Sequence, residues 1–128
     1  MPATTLVEER CVACRSGSSR LTPEELASLA PEIPDWEITE RNGVQRWQRT
    51  FRFPDFRAAL AFTQRVGALA EAEDHHPSLL TDWGRVRVTW TTHAIRGLHR
   101  NDAIMAARTD QLFLAGAPVG PLVAAPDG

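Results

Sequence analysis

Two stretches of period-two alternation, each folded back on a turn signal, stand on either side of one long helical period, and this limits the chain to few folds. Over 44–53, Trp47, Phe51 and Phe53 fall on one face, and Arg41-Asn42-Gly43 joins this strand to a shorter one at 36–39. A second hairpin runs over 78–82 and 85–92 around Trp83-Gly84. In its return strand Val86, Val88, Trp90 and Thr92 point one way, and Arg85, Arg87, Thr89, Thr91 and His93 the other. Between the hairpins, 54 to about 72 sets Phe56, Leu60, Thr63, Val66, Gly67 and Ala70 at helical spacing, a stripe expected to face the core. Thr22-Pro23-Glu24-Glu25 opens a short helix that stops near Ala30, and 101–114 forms a last one.

The order α-β-β-α-β-β-α predicts an α+β fold, a four-stranded antiparallel sheet with helices on one face. Its bare face or edge implies a homo-oligomer, dimer or tetramer. Residues 1–20 read as a flexible arm and 116–128 as a disordered tail rich in proline and glycine, leaving one domain over 21–115.

Composition then narrows the chemistry. Fourteen basic against sixteen acidic residues give a net charge of -2, which leaves no footprint for nucleic acid or an anionic membrane. Neither a membrane-length apolar run nor a signal-peptide layout is present, so a cytoplasmic protein is expected. Every basic residue is arginine, which excludes Schiff-base catalysis and the P-loop lysine, and there is no tyrosine. Proton chemistry near neutral pH falls to His75, His76, His93 and His99, all within 25 residues.

The open ends of the second hairpin, near Pro77 and His93, must meet in space, which makes His75, His76 and His93 neighbours. Three readings stay open on residue type alone. The histidines can be exposed side chains beside a hairpin mouth, ligands of a zinc ion, or a metal-free acid/base set. Adjacent histidines rarely ligate one ion, and no His-x-x-x-His or second cysteine pair supports zinc. Cys11 and Cys14 have the spacing of a redox pair or half a zinc site, but read here as two reduced thiols on the arm.

Glu71-x-x-x-His75-His76-Pro77, then Trp83, Thr91-Thr92-His93, Gly97-Leu98 and Asp102, resembles the signature of the pterin-4a-carbinolamine dehydratases. The Asp35-Trp36 and Phe53-Pro54-Asp55-Phe56 segments are similar as well, and the Cys11-x-x-Cys14 arm is similar to that of bacterial members associated with phenylalanine hydroxylase. The resemblance implies dehydration of a 4a-hydroxytetrahydropterin substrate without metal or cofactor, and a link to an aromatic amino-acid hydroxylase. It implies acid/base roles for His75 and His93, a place against the pterin for His76, and an orienting role for Asp102. Asp102 can equally serve by offsetting the dipole of the last helix. Glu71, Asp74, Pro77, Thr91 and Thr92 fall near the substrate by the same resemblance. Trp36 and Trp83 would line the pocket by stacking, although an aromatic at a strand end is more often core. Where many members have Ser or Thr, this chain has His99, read as a surface residue. The alternative is a non-catalytic dimerisation or assembly module on the same fold.

Overall fold

The computed structural model describes residues 6–12 and 18–116. One hairpin pairs β1 (Glu37–Arg41) with β2 (Val44–Arg52), and the other pairs β3 (Ser78–Asp82) with β4 (Arg85–Trp90). Asn42 and Gly43 take φ of 53° and 79°, the two left-handed residues that a tight hairpin turn demands and that Asn-Gly supplies. Antiparallel pairing from Trp47↔Trp90 to Arg52↔Arg85 joins the hairpins into one sheet, ordered β1-β2-β4-β3. The α+β architecture read from the sequence is therefore the one observed.

The helices start where the caps are. α1 (Pro23–Leu29) opens on Thr22, whose Oγ1 accepts from the Glu25 N–H at 3.1 Å while Glu25 Oε1 accepts from the Thr22 N–H at 2.8 Å. α2 (Phe56–Glu73) opens on Asp55, whose Oδ1 accepts from the Ala58 N–H at 2.9 Å. α3 (Arg100–Ala115) opens on His99. α2 and α3 lie against the face of the sheet that carries Trp47, Phe51, Val86, Val88 and Trp90, all buried. The rings of Phe62 and Phe113 come within 4.9 and 5.0 Å of Phe51, and Trp90 Nε1 donates to Thr109 Oγ1 at 3.2 Å. Each fully buried large side chain contributes about 1.5–3 kcal/mol, so this face anchors the fold.

Two expectations need correcting. The inner stripe of α2 is Ala59, Phe62, Val66 and Ala70, whereas Phe56 and Leu60 remain 44% and 41% exposed. Both stripes satisfy the 3.6-residue period, and alanines at 59 and 70 let the helix lie close to the sheet. Within the arm, residues 6–12 are held rather than loose: a 3₁₀ turn, Leu6–Glu8, buries Leu6 and packs on α3. Residues 1–5, 13–17 (with Cys14) and 117–128 lie outside the described residues. Among those described, no helix is long and apolar enough to cross a membrane.

Candidate active site

α2 ends on a left-handed residue. Asp74 takes φ 53° and ψ 42°, its N–H reaches the carbonyls of Ala70 and Glu71, and the His75 N–H reaches Ala70 O at 3.2 Å. This turn redirects the chain so that His75, His76 and Pro77 enter a cavity of about 540 Å³ before β3 begins. Across it, the residues that follow β4 deliver Thr91 and Thr92, and the 3₁₀ turn after them delivers His93 and Ala94. The hairpin mouth thus brings His75, His76 and His93 to one pocket. Its volume suits a small-molecule ligand.

Beneath the pocket lies Asp102, with no exposed surface. Its Oδ2 accepts from Thr92 Oγ1 at 2.7 Å and from the His99 N–H at 2.9 Å, and its Oδ1 meets His75 Nε2 at 2.7 Å. A carboxylate so placed can only accept, so the imidazole donates from Nε2 and keeps Nδ1 for a ligand. The His75 ring lies flat on Trp90, centroids 5.6 Å apart and planes 11° apart, which fixes its second rotation. His76 pairs its Nε2 with Glu71 Oε2 at 2.6 Å, and both side chains are exposed. His93 is exposed and bonds through its ring to none of the described residues.

The other expected residues divide. Asp74 and Pro77 line the pocket. So does Thr91, whose hydroxyl lies 2.8 Å from Gln45 O and 3.2 Å from Gly97 O. Glu71 stands outside the lining and acts on it only through His76. Trp36 is core: 6% exposed, edge-on to Phe51 at 5.9 Å, with Nε1 donating to Asp110 Oδ1 at 2.8 Å. Trp83 is 71% exposed at the closed end of the second hairpin, the end opposite the pocket mouth, so neither tryptophan lines the site. His99 is half-buried, and its Nδ1 accepts from the Asn101 N–H at 3.0 Å, so it caps α3 rather than standing free on the surface.

Sequence reading missed Glu73, Cys11, Val12 and Asn101, all in the lining. The Glu73 side chain is 3% exposed and takes bonds from Cys11 N–H at 3.0 Å and Arg10 Nε at 2.7 Å, with Arg108 Nη1 at 3.2 Å. Burial works to raise its pKa, but the Cys11 N–H and the guanidinium groups of Arg108 and Arg10 outweigh it and hold the carboxyl below its ordinary value. The one signal of these contacts in the sequence was the apolar pair Leu6-Val7, too short to carry a period. Among the described residues, no three His, Cys, Asp or Glu side chains converge as metal ligands would.

Fold and site together define a class: a small α+β protein that offers imidazoles, one of them braced by a buried carboxylate, to a ligand in an open pocket. The family model for pterin 4 alpha carbinolamine dehydratase matches residues 19–112. A Gloeobacter violaceus protein, provisionally named pterin-4-alpha-carbinolamine dehydratase 1, is 58% identical over 107 residues, 84% of this chain and 92% of that one. A Syntrophotalea carbinolica protein with the same provisional name is 57% identical over 108 residues, 84% of this chain and 96% of that one. Among solved structures, a transcriptional coactivator/pterin dehydratase from Brucella melitensis is similar at TM-score 0.66 and 31% identity, over 73% of this chain and 98% of that one. A pterin dehydratase-like RuBisCO assembly factor of the alpha-carboxysome shares the fold at TM-score 0.53 and 23% identity, over 61% and 88% of the two chains. The chain belongs to the pterin-4a-carbinolamine dehydratase family.

Proposed function

We propose that the protein dehydrates 4a-hydroxytetrahydropterin to quinonoid dihydropterin by histidine acid/base catalysis without a metal. The observation that carries this reading is the Asp102–His75 pair opening onto the same pocket as His93. In the carbinolamine the N5 lone pair drives out the C4a hydroxyl. The C4a–O bond breaks, a C4a–N5 double bond forms, N5 gives up its proton and the hydroxyl leaves as water. Catalysis therefore needs one group to take a proton and another to give one, worth about 10² to 10⁴ in rate each. His75 is suited to the first task, because the Asp102 carboxylate stabilises the imidazolium that forms on it. His93, with no side-chain partner among the described residues, protonates the departing hydroxyl, and His76 lies against the pterin. The product, once a reductase has returned it to the tetrahydropterin, would serve an aromatic amino-acid hydroxylase in the cytoplasm, and self-association would use the open sheet face, where Leu80 is 49% exposed, or a sheet edge.

An assembly module has no use for an imidazole braced by a fully buried carboxylate. The test mixes purified protein with freshly generated 4a-hydroxytetrahydropterin and follows the quinonoid product. Wild type should exceed the buffer rate by at least about 10²-fold. His75→Ala and His93→Ala should each lower the rate by about 10²-fold or more. A wild-type rate equal to buffer, or variants equal to wild type, would overturn the reading.

A further inference from the structure

Residues 9–12 lie outside the stretch that the family model matches, yet Cys11 and Val12 line the pocket of the three histidines. Successive attachments hold them there. Glu9 forms a two-bond ion pair with Arg100, at 2.9 and 2.6 Å. Arg10 and the Cys11 N–H bond the two oxygens of Glu73. The Val12 N–H donates to Asn101 Oδ1 at 3.0 Å while Asn101 Nδ2 donates to Val12 O at 2.6 Å, so one side-chain amide imitates a neighbouring strand and fixes that peptide in both directions. The Glu73 side chain and Asn101 are 3% and 2% exposed, and buried polar groups left without these bonds would be costly. They stand two residues before His75 and one before Asp102, so the segment is fastened to both elements that carry the His75–Asp102 pair. With its backbone engaged, Val12 is 62% exposed at the pocket wall.

We propose that residues 9–12 are a built wall of the ligand pocket and that the Val12 side chain covers one face of a flat heteroaromatic ligand. The ligand's identity as a pterin rests on the dehydratase reading. The experiment uses the full chain and measures binding of biopterin, which cannot be dehydrated, by fluorescence, alongside KM and kcat with the carbinolamine. Val12→Asp should raise Kd and KM about tenfold or more while kcat stays within about threefold, and Val12→Ile should restore both. The double variant Glu9→Ala/Arg10→Ala, which loosens the wall without entering the pocket, should raise Kd severalfold. Thermal melts serve to show that each variant is folded. Folded Val12→Asp with wild-type Kd and KM overturns the wall and leaves the dehydratase intact. Wild type that binds biopterin without turnover overturns the catalytic reading and leaves the wall to be decided by Kd alone. Wild type that binds no pterin overturns both.

Discussion

Replacing Asp102 with asparagine probes the proton-transfer scheme at its most buried point, because the change keeps the volume and removes a charge and one acceptor. Thr92 Oγ1 and the His99 N–H both donate to Oδ2, at 2.7 and 2.9 Å, and His75 Nε2 faces Oδ1 at 2.7 Å. An amide has a single oxygen, and the two donors on one side claim it, so its NH₂ turns toward His75. Nε2 must then accept, and the ring proton moves to Nδ1, the nitrogen offered to the substrate. A hydrogen bond to a charged group contributes about 1.5–3 kcal/mol and a neutral one about 0.5–1.5 kcal/mol, so the imidazolium loses about 1–2 kcal/mol of support. The wrong tautomer adds the loss of the base itself. Together we expect kcat to fall about 10²- to 10³-fold. KM should change by less than about threefold, since Asp102 lies beneath the lining rather than in it. Every donor around residue 102 keeps a partner, so the melting temperature should move only a few degrees. Stopped-flow dehydration kinetics give the rates, and ¹⁵N shifts of the His75 ring give the tautomer. A kcat within threefold of wild type, or a ring that keeps its proton on Nε2, refutes the reasoning.

Thr92→Val removes a buried donor to the same carboxylate; urea unfolding should show a loss of about 1–3 kcal/mol, and kcat should fall less than for the asparagine variant. Glu73 has its carboxyl held below its ordinary 4.5 by Cys11, Arg108 and Arg10 against the opposing effect of burial. A depressed folded pKa gives stability that is present above the unfolded value and lost as pH falls through the folded one. Thermal melts from pH 6 to 3 should therefore drop below about pH 4.5, and Glu73→Gln should flatten that drop. Asp74→Val puts a branched side chain at φ 53° and should cost about 1–2 kcal/mol, while Asp74→Gly should melt no lower than wild type. Activity should survive EDTA unchanged; a rate that collapses and returns with zinc would replace the acid/base scheme with a metal one.

What could be read from the sequence was what is set locally. Asn42-Gly43, Gly84, the Thr22–Glu25 box and the alternation of Val86, Val88 and Trp90 each state their geometry within a few residues, and hairpin closure then brought His93 to the same pocket as His75. The misplaced residues are those decided by partners far along the chain. Trp36 donates its hydrogen bond to Asp110, 74 residues away, and Val12 exchanges two with Asn101, 89 residues away. No periodicity records such contacts. Trp83 needed only the hairpin logic already in use, since the turn between β3 and β4 is necessarily the end remote from His93.

Asp102 shows why helix capping and the proposed catalytic role were hard to separate in advance. Its Oδ2 accepts the His99 N–H, as an acidic residue in a first helical turn commonly does, and its Oδ1 holds His75. One carboxylate serves both ends because the N-terminus of α3 points at the hairpin mouth. His99 completes the arrangement by taking the Asn101 N–H on Nδ1, which a protonated ring could not accept. A histidine cap therefore ties the start of α3 to the neutral ring, where a serine or threonine cap would not.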